Sequence, residues 1–156
     1  MNDEGVEWPD NHQCAVSMVV DYSVQSGNEG IGPKDVETHM AEFGARVGIW
    51  RLFDLFEKYT LRVTFAVPAI IAEVYPESVR EIIKRGHEIG AHGYRHEDVS
   101  GLDIEEEKRR LDLTTQMLEK ICGKRPMGWF SLPRQQDRYP GGQVSPNTVD
   151  LLIDAG

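Results

Sequence analysis

Leu61-Arg62-Val63-Thr64-Phe65-Ala66-Val67-Pro68 opens the stretch that decides the fold, and His87-Glu88-Ile89-Gly90-Ala91-His92-Gly93-Tyr94-Arg95-His96 closes it. In the first segment Leu61, Val63, Phe65 and Val67 alternate with their neighbours, the period of a strand, and Pro68 ends it. Pro76, at a helix N1 position, opens a helix that turns Val79, Ile82 and Ile83 inward, and Gly86 reads as its C-cap. His87 to Ala91 predicts a second short strand. Strand, helix and strand in this order make a βαβ unit, whose crossover requires a parallel pair.

The same rhythm extends in both directions. Ala15 to Val20 is a continuous apolar run with one serine, the pattern of a strand buried on both faces, and it ends at Asp21. Tyr22 to Glu42 is rich in Gly, Ser, Asn and Pro with no sustained period, which predicts a long loop. Ile49, Leu52, Phe53 and Phe56 then recur at helical spacing, with Arg51, Asp54, Glu57 and Lys58 on the other face. Toward the C-terminus, Glu105 to Ile121 predicts a helix with Leu111, Thr115 and Leu118 aligned, closed by Gly123. Met127 to Leu132 predicts a fourth strand, and Ser145-Pro146 an N-cap and N1 pair opening a last helix through Ile153. Four strands alternating with helices imply an α/β fold on a parallel sheet, either open or part of a barrel. In both, chemistry belongs at the C-terminal strand ends. Residues 1–14 read as an N-terminal tail and residues 15–156 as one domain.

Composition narrows the partners. Acidic residues outnumber basic ones 26 to 17, and the formal net charge of -9 repels phosphate backbones and anionic membrane surfaces. Neither nucleic acid nor a membrane is therefore an expected partner. Cys14 and Cys122 lie in apolar stretches where each would serve as a small buried hydrophobe. Met1 to Asp10 has no basic or apolar leader pattern, and no stretch reaches membrane-spanning length, so the expected location is cytoplasmic. No Gly-rich phosphate loop, Ser-centred elbow or paired CxxC appears.

The polar residues expected at strand ends are Asp21, His92 and His96. Two imidazoles four residues apart on a turn can present nitrogens to one ion, and a carboxylate from a neighbouring strand completes the set with open positions. Two such histidines are common without a metal, and it is their placement at a strand end that favours the ligand reading. His87, at the opposite end of its strand, reads as structural, orienting a turn through backbone hydrogen bonds. His12 and His39 lie in polar stretches and are assigned nothing, and Trp8 and Trp50 read as tail and core anchors. Glu97 and Asp98 read first as a solvated acidic turn, with orientation of an imidazole as the alternative. Glu29, in Gly27-Asn28-Glu29-Gly30, is a carboxylate placed to reach substrate or act as a base. Arg134 and Arg138, near Trp129 and Phe130, could hold a polar substrate by bidentate hydrogen bonds and stacking.

Arg85 to Glu97 resembles the second motif of the polysaccharide deacetylase, or NodB-homology, superfamily, with both metal-ligand histidines present. Val63 to Pro68 is similar to that family's second strand. Phe43 to Leu52, Met127-Gly128-Trp129-Phe130 and Ser145-Pro146-Asn147-Thr148 look most like the branch of allantoinase-type and cyclic-imide hydrolases. The resemblance runs from about Ala15 to the last residue. It implies a distorted (β/α) barrel, here only its N-terminal portion of about four β/α units, C-terminally truncated before the family's C-terminal histidine motif. It also implies water attack on an amide carbonyl with zinc or a related divalent ion, and Asp21, His92 and His96 as ligands. Family members commonly place two acidic residues together after the first strand, one as base and one as ligand, whereas here Tyr22 and Ser23 follow Asp21. Asp21 aligns with the base position, and base and ligand remain alternatives for it. The metal-independent allantoinases of this branch lack the second histidine, so His96 favours retained metal. Open edges of a partial barrel predict association into a homo-oligomer.

The expected function is hydrolysis of a non-peptide carbon-nitrogen bond in a small-molecule amide. A cyclic amide, imide or ureide is favoured over an N-acetylated glycan. Asp21 and Glu29 are the expected catalytic groups, and Arg134 and Trp129 hold substrate. The alternative is a non-catalytic module that binds a partner chain.

Overall fold

The computed structural model describes residues 9–27, 29–130 and 145–156. Strands β1 (Val19–Asp21), β2 (Thr64–Val67) and β3 (Glu88–Ala91) form one parallel sheet in the order β1-β2-β3. The register sets Asp21, Ala66 and Gly90 level with one another. Strand order follows chain order with no reversal among the described residues, the arrangement of a barrel sector. Of the predicted fourth strand, the described residues form one parallel bridge, between Ala91 and Trp129. Ala91 donates its N–H to the Gly128 carbonyl and Phe130 donates to the Ala91 carbonyl, both at 2.8 Å. The remainder of that segment, from Ser131, lies outside the described residues.

The helices are α1 (Pro33–Val36), α2 (His39–Phe43), α3 (Ile49–Lys58), α4 (Ala69–Val74), α5 (Pro76–Lys84), α6 (Ile104–Cys122) and α7 (Thr148–Ala155), with a π-helical turn at Gly44–Gly48 joining α2 to α3. The long loop expected after the first strand is therefore shorter than the sequence pattern suggested. Pro33 starts α1, where Asp35 accepts the Gly32 N–H at 2.7 Å, and Thr38 caps α2 by accepting the Ala41 N–H at 3.2 Å. Local caps make these short helices without any apolar period. The last helix begins at Thr148, two residues beyond the expected Pro146; Ser145 donates its hydroxyl to Glu107 and accepts the Asn147 N–H at 3.2 Å.

The core lies where α3, α5 and α6 meet the sheet. Phe53, Phe65, Val79, Ile82 and Leu118 are fully buried there, each of the larger ones worth roughly 1.5–3 kcal/mol. The α6 N-terminus is capped by Asp103, which accepts the Glu106 N–H at 2.8 Å, and Gly123 at φ 75 closes its other end. The apolar run at Ala15 is not the doubly buried strand expected. Val16 is 82% and Val19 48% exposed, because the outer edge of β1 carries no strand among the described residues. Cys14 is likewise exposed, and Trp50 is partly so at the surface of α3. Among the described residues no helix is long and apolar enough to cross a membrane.

Candidate metal centre

Asp21 is the last residue of β1, and His92 follows β3 directly, with its N–H on the Val67 carbonyl at 3.1 Å holding it in line with the sheet. Beyond it the chain doubles back through Gly93 at φ 71 to His96 at φ 57. That reversal brings the two imidazoles to 4.2 Å between centroids. One ligand atom from each of Asp21, His92 and His96 then lies within 4.8 Å of the others.

The tautomer of the neutral His92 ring follows from its partner. Its Nδ1 stands 2.9 Å from the Phe130 carbonyl, and a carbonyl only accepts, so Nδ1 carries the hydrogen. Nε2 is left with its lone pair, 4.0 Å from Asp21 Oδ1. That gap is too long for a hydrogen bond, yet within the roughly 4.4 Å span of two ligand bonds of about 2.2 Å. A carbonyl fixing the remote nitrogen of an imidazole is also what orients histidine ligands in metal sites. Two imidazoles and one carboxylate suit zinc or a similar divalent ion, and with Asp21 half exposed the set has an open side.

Strand alternation parts Asp21 from the residue that follows it. Asp21 faces outward, so Tyr22 turns into the core, its ring edge on Phe65 at 6.5 Å and its hydroxyl 2.8 Å from Ser78 Oγ. Burial pushes the Tyr22 phenol above its usual range, and the Ser78 hydrogen bond offsets part of that. On one side of the centre a groove of about 960 Å³ runs between Asp21, Thr38, Ala45 and Ile49. On the other, a cavity of about 30 Å³ touches both histidines, Glu97, Glu107 and Trp129.

The remaining expected residues divide. Trp129 is half-buried and borders the small cavity with both histidines. Glu29 is exposed on the turn closed by the Gly27–Gly30 bridge. Arg134 and Arg138 lie outside the described residues. His87 lies away from the centre, but not as a turn organiser: it sits in the core against Phe53, Phe56 and Phe65. Glu97 is not a solvated turn residue. It is buried and accepts hydrogen bonds from the Arg95 N–H and from Arg110. Asp98 accepts from Ser100.

Two partners went unread in the sequence. The Phe130 carbonyl is backbone, which no residue pattern signals. Glu107 is buried in α6 and accepts hydrogen bonds from Ser145 and Thr148, tying the start of α7 to the side of the site. Its spacing of four from Leu111 placed it on the buried face, and that was a legible signal.

Comparison with known proteins agrees with this frame. The polysaccharide deacetylase family profile matches residues 42–156. A peptidoglycan deacetylase of Helicobacter pylori is 32% identical over 124 residues, covering 80% of this chain and 39% of that protein. Among solved structures, a Mycobacterium smegmatis protein assigned to the polysaccharide deacetylases is 32% identical with a TM-score of 0.80, covering 97% of this chain and 51% of that one. The Puue allantoinase is 27% identical with a TM-score of 0.74, covering 96% and 53%. The chain thus spans about two fifths of that curated relative and about half of these solved chains.

Proposed function

Because the chain belongs to the polysaccharide deacetylase family, we propose that it forms the metal-binding part of a hydrolase that cleaves a non-peptide amide bond in a small cyclic amide, imide or ureide. The observation that carries this reading is the gathering of ligand atoms from Asp21, His92 and His96 within 4.8 Å at the C-terminal ends of a parallel sheet. A divalent ion held there, zinc or a related one, supplies polarisation of the amide carbonyl and acidification of water toward neutrality.

The chain's own residues do the rest. The Asp21 carboxylate receives a proton as water oxygen bonds to the carbonyl carbon. It returns that proton to the departing nitrogen as the carbon-nitrogen bond breaks. One of its oxygens faces His92 and the other remains for the proton, so a single carboxylate can hold and transfer. His92, buried and tied to Phe130, keeps its lone pair aimed without reorganisation. Trp129 offers a ring face beside the histidines, Arg134 would hold a polar edge of the substrate, and Glu29 supplies a further carboxylate from the loop after β1.

The small-ring preference is supported by similarity to an allantoinase, 27% identical over 96% of the chain. The test is a ranking. With zinc supplied, the full-length protein should hydrolyse a ureide or cyclic imide faster than it releases acetate from N-acetylglucosamine oligomers. The reverse ranking would assign it to glycan deacetylation.

A further inference from the structure

The two loops that bring the ligands together are bonded to each other. Ile31, in the loop after β1, donates its N–H to the Arg95 carbonyl at 2.6 Å, and Arg95 Nε donates back to the Ile31 carbonyl at 2.7 Å. Contact is so close that a Cβ added at Gly30, φ 84, would stand 2.6 Å from the Arg95 carbonyl oxygen and 3.0 Å from Glu97 Cβ. No other residue type fits that backbone and that gap.

Glu97 lies beneath this junction. Its side chain is 1% exposed, an expensive place for a carboxylate unless its oxygens are occupied. Both are. Oε2 accepts the Arg95 N–H at 2.5 Å, and Oε1 accepts from Arg110 Nη1 at 3.2 Å. Arg110 is itself fixed along α6 by donating Nε to Glu106 at 2.7 Å. The bond from Arg95 N–H to the Glu97 carboxylate spans one residue, and that residue is His96. His96 adopts φ 57, a left-handed conformation that side-chain-bearing residues rarely hold unless their surroundings impose it.

We propose that Glu97 is a positioning residue of the metal centre: its buried carboxylate, anchored on α6 by Arg110, closes the turn across His96 and holds that imidazole toward His92 and Asp21. Glu97 is not in the group of donors that lie within 4.8 Å of one another, which is Asp21, His92 and His96. It acts through backbone, which separates it from the side-chain partners that orient histidine rings directly. The inference rests on the metal reading given above.

The test uses full-length protein stripped with a chelator, then titrated with zinc by calorimetry and with cobalt(II) by visible absorption. Glu97→Ala removes both bonds and should weaken zinc binding by about 10- to 100-fold, with the cobalt bands shifted as one imidazole leaves its place. Glu97→Gln keeps an oxygen for the Arg95 N–H and should fall between. A purely structural role would lower melting of the metal-free protein while leaving affinity and the cobalt spectrum of folded molecules unchanged, and that result overturns the proposal. If Glu97→Ala does not fold, Glu97→Gln decides alone, and wild-type affinity with a wild-type spectrum overturns it. Wild-type protein that binds neither metal overturns the metal reading itself, and this inference with it.

Discussion

His87 and His92 flank the same four-residue strand, β3, and are buried to nearly the same degree, 6% and 4% exposed, yet their surroundings give them opposite work. His87 stacks on Phe53 at 6.0 Å with ring planes 12° apart, and its Nδ1 has no hydrogen-bond partner among the described residues. Burial, reinforced by the Arg62 and Arg85 cations, holds its pKa below the ordinary 6.5. His92 gives its Nδ1 hydrogen to the Phe130 carbonyl and turns a bare Nε2 toward Asp21. Burial does not distinguish a core histidine from a ligand. What does is whether one nitrogen is pinned so that the other faces a second donor.

The sharpest break in this comparison comes from Asp21, the carboxylate that faces His92. Asp21→Asn should lower kcat/KM by about 10²- to 10⁴-fold, since an amide neither takes a proton from water nor ligates a cation well. Urea unfolding of the variant should match wild type, because the side chain is half exposed. Undiminished turnover would remove Asp21 from the chemistry.

The core end predicts a pH effect on stability. The folded state disfavours the His87 cation and so binds fewer protons than the unfolded chain below the unfolded pKa of 6.5. Its contribution is therefore complete above 6.5 and is lost as pH falls through 6.5 toward the lowered folded value. His87→Leu should flatten that acid-side loss, as read from urea unfolding at pH 7.5, 6.5 and 5.5. An unchanged pH slope would mean that His87 is protonated in place or that other groups carry the loss. At pH 7.5 the substitution should change stability by no more than about 1–3 kcal/mol, since it removes an unpaired polar atom along with a ring stack.

The smallest effect belongs to Trp129, whose ring borders the histidine cavity without joining the ligand set. Trp129→Ala should raise KM by about 2- to 10-fold with kcat little altered, the size of one aromatic contact. A loss confined to kcat would instead mark it as part of the support for the Ala91 bridge.

The comparison also shows how far sequence carries. β2, α3, α5, β3 and α6 were legible because Val63, Phe65 and Val67, or Ile49, Phe53 and Phe56, repeat at the period of their element. Asp21, His92 and His96 were legible because they sit where those periods end. The short helices at Pro33 and His39 were not, since caps and not apolar spacing hold them. Exposure of Val16 and Val19 depends on what lies beside β1, a property of the sheet edge that the run itself does not encode. Glu97 was read as solvated because Arg110, which makes its burial tolerable, stands thirteen residues away on another element.

The central claim is that one end of this sheet is a metal centre and the other is core, and metal titration of the chelator-stripped protein tests it most directly. The account predicts one zinc ion per wild-type chain, binding lost in His92→Ala and in His96→Ala, and binding unchanged in His87→Leu. Zinc bound equally by wild type and both alanine variants, or by none of them, would contradict it.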